Sequence, residues 1–221
     1  EVVFIISKKK MMIKKYFYND KFYKDIIKKK GDPKIIKEYK KILKYKKMIK
    51  FVFQDKPLGT GDAVYKTKKF ITDKYFLMLL PDDLIIKKNC SKSMIMVHKK
   101  FKTSVMASMK VNKNDVSRWG IYNIKKKIDK NNFIINNVVE KPSIKTSPSN
   151  NAVIGRYILP KTIFSKLRSL KPGKSGEFHI TDAIQALIDD DNQFIGHNFS
   201  GKYLDCGTMK GYIKSTLEIS K

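Results

Sequence analysis

With 221 residues the chain is long enough for one domain with a sizeable core, and it carries a formal net charge of +28. Its apolar runs are too short to cross a bilayer, and no charged-then-apolar leader precedes Glu1 to Ile6, so neither a membrane span nor a signal peptide is expected. Cys90 and Cys206 are the only cysteines and have no Cys/His cluster around them, which excludes a disulfide scaffold and a zinc site and points to a reducing cytoplasm.

Of the 48 basic residues only Arg118, Arg156 and Arg168 are arginine. A surface that reads bases favours the bidentate fork of arginine. The lysine excess is therefore read as solvated faces, and no specific nucleic-acid partner is expected.

Glu1 to Ile6 reads as a buried strand. Ser7 to Lys30 is lysine-rich, with Tyr, Phe and Ile at irregular helical spacing. Gly31-Asp32-Pro33 breaks it, and Pro33 suits the first turn of a helix running to about Lys47. Lys50 to Gln54 is a short strand. Pro57 to Phe70 places Gly59 and Gly61 around Thr60, with a helix starting near Asp62. Such a turn lets a ligand approach the backbone and presents free N–H groups.

Tyr75 to Leu80 is a continuous apolar run, the pattern of a strand buried on both faces of a parallel sheet. Pro81 stops it, and Asp82 and Asp83 follow at once. In open α/β sheets ligands bind beyond the carboxyl ends of the strands, so this is a position for a cation or a substrate hydroxyl. A right-handed crossover from the preceding strand would set the glycine turn and Asp82 on the same sheet edge.

Cys90 to Phe101 is predicted helical and Ser104 to Val111 a strand. Gly120 to Ile128 and Phe133 to Val139 are predicted strands joined by a polar turn at Asp129 to Asn132. Glu140-Lys141-Pro142 ends the second. Neighbouring strand residues face opposite ways, so Glu140 and Lys141 would do different jobs. Ala152 to Leu159 is a strand whose interior Gly155 signals a bulge or a close ligand approach. A helix at Pro160 to Leu170, a turn at Lys171 to Gly176 and an amphipathic helix over Glu177 to Asp189 follow. Ile195 to Phe199 and Lys202 to Tyr203 read as a hairpin, and Met209 to Ile219 as the last helix.

FQDKPLGTGDAV, LLPDDLI, RWGIY, VVEKP, AVIGRYIL, KSGEFHITDAI and YLDCGTMKGYIKS, in this order, resemble the bacterial UTP–glucose-1-phosphate uridylyltransferases over nearly the whole chain. The resemblance implies an α/β, Rossmann-like nucleotidyltransferase fold with a mixed, mostly parallel sheet flanked by helices. The implied reaction joins UTP and glucose 1-phosphate to give UDP-glucose and pyrophosphate, with Mg²⁺. It implies that Gln54 and Gly59 meet the uracil, with Asp82 near the nucleotide. Asp82 and Asp205 would hold the metal. Gly120 and Glu140 would bind sugar hydroxyls, Lys141 the sugar phosphate, and Gly155 would let the sugar come close. A homo-oligomer is also implied. The alternatives are a related sugar-phosphate thymidylyltransferase and a catalytically silent regulatory homologue.

Three departures stand out. The family begins with a strand and a glycine-rich loop bearing Arg and Lys that cradles the triphosphate, and no stretch here matches it. The expectation is an N-terminally truncated single domain, inactive as the 221-residue chain alone. Asp62 stands where the family usually has His, and Trp119 where Tyr is usual.

Overall fold

The structure, a computed structural model, describes residues 1–173 and 176–221, with the side chains at 20, 22, 23, 26 and 30 outside the description. Two compact units emerge: Glu1–Thr72 with Leu167–Ile180, and Asp73–Lys166 with Thr181–Lys221.

In the first unit, strand β1 (Val2–Ile6) leads through helices α1 (Met11–Tyr18), α2 (Asp20–Lys30) and α3 (Pro33–Lys46) to strand β2 (Ile49–Phe53). β1 and β2 pair in parallel, Val2 against Ile49. The helix boundaries follow local chemistry. Gly31 closes α2 at φ +58°, a conformation glycine adopts without strain. The Asp32 carboxylate then accepts from the Lys34 N–H, and Pro33 opens α3. Ile42 of α3 is buried, and Phe17 of α1 stacks on Phe4 of β1 with centroids 5.5 Å apart. Helix α4 (Thr60–Tyr65) begins two residues earlier than expected.

The second unit contains β3 (Tyr75–Leu79), β4 (Asp83–Ile86), α5 (Cys90–Phe101), β5 (Ser104–Lys110), β6 (Gly120–Lys127), β7 (Asn132–Glu140) and β8 (Asn151–Pro160). The chain continues through α6 (Ile163–Ser169), whose last three residues fall in the first unit, α7 (Ile180–Asp189), whose first residue does, β9 (Phe194–Asn198), β10 (Lys202–Asp205) and α8 (Met209–Ile219). α5 and α8 fall where the periodicity puts them, capped by the side chains of Asn89 and Thr208. Six strands form one sheet in the order β3-β8-β5-β9-β7-β6, while β4 and β10 form a separate antiparallel ribbon. Met94 of α5 packs with Val105, Ala107, Ile154 and Ile195 on the sheet to make the core. No helix among the described residues is long and apolar enough to cross a membrane.

The α/β class and the mixed sheet match the expectation, but the balance of directions does not. Among the described pairings only β1–β2 and β5–β9 are parallel. β3 is an edge strand bound antiparallel to β8, with Leu77 36% and Leu79 49% exposed. A continuous apolar run does not encode whether both neighbours exist. β2 belongs to the two-stranded sheet with β1, and β3 to the six-stranded one. The expected β9–β10 hairpin is absent. β9 inserts between β5 and β7, and β10 pairs with β4. Residues 174–175 of the expected KPGKSG turn lie outside the described residues.

Candidate active site

The β4–β10 ribbon brings two distant carboxylates together. Its register sets Asp205 opposite Asp83, and the Cys206 N–H donates to the Asp82 carbonyl over 2.8 Å. A Cβ built on Gly207 would stand 3.0 Å from Asp82 Oδ2 and 3.3 Å from Asp205 Oδ1. The two acids therefore flank one point, where glycine leaves room between them. Asp205 does not cap α8, because that role belongs to Thr208, whose Oγ1 accepts from the Gly211 N–H. The Asp205 Oδ1 accepts from the Gly207 N–H at 2.9 Å. No group of three or more His, Cys, Asp or Glu among the described residues is arranged to hold a metal. Two carboxylates suit Mg²⁺, which keeps several waters and takes substrate phosphate oxygens for the rest of its octahedron.

The turn carrying Asp82 is clamped from β8. Arg156 donates to the carbonyls of Leu80, at 2.6 Å, and Asp83, bracketing Pro81 and Asp82. The Asp83 carboxylate accepts from the Tyr203 hydroxyl and from the Gly155 N–H, each at 2.5 Å. Burial, then this bond and the neighbouring carboxylates, push the Tyr203 phenol far above its ordinary range. The sequence reads Asp83, with Asp82, as a place for a cation or a substrate hydroxyl, whereas here its carboxylate is taken up by Tyr203 and Gly155; Arg156 and Tyr203 carry no site expectation. One signal was available: Arg156 is an arginine in a chain whose basic residues are almost all lysine, as expected where a planar fork must meet two carbonyls.

Gly155 is tightly surrounded on its side-chain side. The space its Cβ would fill already holds the Asp83 carboxylate and the Leu80 side chain, the Leu80 Cβ only 2.6 Å away. The chain's own packing therefore calls for glycine there. The expected bulge is present, since the β5–β8 register shifts between Met106 and Ala107 as β8 passes Gly155 and Arg156.

Gly120 and Glu140 are directly paired across β6 and β7, and the Glu140 Oε2 would stand 3.0 Å from a Cβ on Gly120. Strand alternation does not set Lys141, because the strand ends at Glu140. Lys141 adopts φ +46°, and its N–H donates to the Trp119 carbonyl at 3.0 Å. A left-handed lysine is strained by roughly 1–2 kcal/mol, and such strain concentrates at functional positions. Trp119 in turn packs edge-on against Tyr203, centroids 5.6 Å apart. Contacts thus run from Lys141 through Trp119, Tyr203 and Asp83 to the Asp82–Asp205 pair.

Gln54 and Gly59 lie in the first unit. The Gln54 Nε2 donates to the Gly59 carbonyl at 3.0 Å and to Asp62 Oδ2 at 2.8 Å. The glycine turn is less open than expected. The Gly61 N–H is bound by the Phe178 carbonyl, which also lies 2.5 Å from the point a Gly59 Cβ would occupy. Gly59 sits at φ +94°, so both conformation and packing demand glycine.

The chain is similar to known proteins in sequence and in fold. The family model described as nucleotidyl transferase matches residues 4–221. A UTP–glucose-1-phosphate uridylyltransferase of Staphylococcus saprophyticus is 32% identical over 99% of this chain and 75% of its own length. A UDP-glucose pyrophosphorylase solved with UDP-glucose has a TM-score of 0.81 at 29% identity, covering 99% of this chain and 81% of that one. The UTP-bound enzyme of Acinetobacter baumannii has a TM-score of 0.84 at 27% identity, covering 99% and 76%.

Proposed function

Because the chain belongs to the nucleotidyl transferases, and within them to the UTP–glucose-1-phosphate uridylyltransferases, we propose that it transfers the uridylyl group of UTP to glucose 1-phosphate, releasing pyrophosphate. The observation that carries the site is the pair of carboxylates, Asp82 and Asp205, meeting at Gly207. Mg²⁺ bound there would neutralise charge on the nucleotide phosphates, the main electrostatic demand of such a transfer.

The remaining work is positioning. A phosphate oxygen of glucose 1-phosphate attacks the α-phosphorus, the bond to the β-phosphate oxygen breaks, and pyrophosphate departs. Two anions must approach in line, and Lys141 supplies a point charge for the attacking phosphate. Glu140, beside Gly120, accepts from sugar hydroxyls. Gln54 and Gly59 take the base. The Arg156 and Asp83 clamp keeps the Asp82 carboxylate where it is needed. The free thiols Cys90 and Cys206 suit a cytoplasmic setting, and self-association is the expected state of the assembled enzyme.

The test is turnover of glucose 1-phosphate by the full gene product with UTP and with dTTP. Pyrophosphate and UDP-glucose should form with UTP, at a kcat/KM clearly above that with dTTP. Equal or higher efficiency with dTTP would reassign the substrate, and no release with either would reject the enzyme reading.

A further inference from the structure

We propose that Asp62 locks the Gln54 amide in one orientation, so that only its Oε1 faces an incoming base, and that this lock selects pyrimidines protonated at N3 over cytosine. The proposal rests on the assignment of Gln54 to the base.

The chemistry of the amide's partners carries it. Gln54 Nε2 lies 2.8 Å from a carboxylate oxygen of Asp62 and 3.0 Å from the Gly59 carbonyl. Both partners are acceptors, so the NH₂ group must face them. A turned amide would set its oxygen against a carboxylate and a carbonyl at bonding distance. Both N–H donors are already used, which leaves the carbonyl oxygen as the group a ligand can meet. The lock is itself held. The Gln54 N–H donates to the Ile6 carbonyl at 3.0 Å. Asp62 lies in the first turn of α4, and its side chain is 17% exposed with Lys66 Nζ 3.6 Å away.

Uracil and thymine present an N3–H donor between two carbonyls. Cytosine presents a bare N3 lone pair at the same place. A fixed acceptor binds the first edge and repels the second, whereas a freely turning glutamine would serve either. Leaving a half-buried polar group unpaired weakens binding by about tenfold or more.

Asp62→Asn tests this without changing side-chain size, because an asparagine amide can donate to Gln54 Oε1, which weakens the lock to the single Gly59 carbonyl. Affinities for UTP and CTP, measured by calorimetry on the full gene product, should show a preference for UTP that falls about tenfold in Asp62→Asn and survives in Asp62→Glu. An unchanged preference in Asp62→Asn, with UTP still bound, would overturn the lock and leave the base assignment standing. Unchanged affinities for both nucleotides in Gln54→Ala would overturn the base assignment, and the lock with it.

Discussion

Replacing Tyr203 by Phe keeps the ring that packs edge-on against Trp119 and removes only the hydroxyl. That hydroxyl donates to Asp83 Oδ1 over 2.5 Å, and Asp83 Oδ2 is held separately by the Gly155 N–H. A hydrogen bond to a charged acceptor contributes about 1.5–3 kcal/mol, and the half-buried carboxylate left behind keeps its desolvation cost. For a chain of this size each kcal/mol lowers the melting midpoint by about 2–4 °C, so a drop of roughly 3–12 °C is expected. Trp119, the single tryptophan, reports it directly by fluorescence from beside the altered ring. Because Asp82 precedes Asp83 and Asp205 follows Tyr203 by two positions, the Mg²⁺ concentration giving half-maximal turnover should rise as well. Asp83→Asn in the same background should couple with Tyr203→Phe by 1 kcal/mol or more. A midpoint change under 1 °C with unaltered Mg²⁺ dependence would show that the clamp does not position the acids.

Lys141→Gly relieves the backbone at φ +46° while deleting the cation. Stability should hold within about 1 kcal/mol or rise, since relief offsets the added chain entropy, while KM for glucose 1-phosphate rises and that for UTP does not; steady-state kinetics beside a denaturant titration separates the two. Burial pushes the Cys90 thiol up to about 11 from 9.0, so the fold favours the protonated form. Its contribution is complete below pH 9.0 and is lost as pH rises through about 11, and Cys90→Ala should flatten that part of a pH series of denaturant titrations by about 2 kcal/mol.

The parts of the fold legible in the sequence were those whose causes are local. Asp32 and Pro33 announce α3, Asn89 the start of α5, and Thr208 that of α8, each by a cap or a fixed φ. Long-range pairing left no such mark. Tyr75 to Leu79 is apolar enough for a central strand yet lies at an edge, and β9 and β10, close in sequence, pair with strands far from each other. The site divides in the same way. The residues of the Asp82–Asp205 pair were readable because they sit in ordered motifs. The clamp beneath them was not, because Asp83, Gly155, Arg156 and Tyr203 converge only through the close approach of β4 to β8 and β10. Gly155 shows the ambiguity: its freedom from a side chain was visible, but whether a ligand or Leu80 used that space was not.

Manganese bound in place of magnesium gives the most direct reading of the carboxylate pair. Titrating Mn²⁺ into the full gene product with UTP, followed by electron paramagnetic resonance, should show one tight nucleotide-dependent site. Asp82→Ala should weaken it by at least tenfold and lower pyrophosphate release by orders of magnitude while the fold persists. Wild-type Mn²⁺ affinity and wild-type turnover in Asp82→Ala would contradict the metal role of these two aspartates.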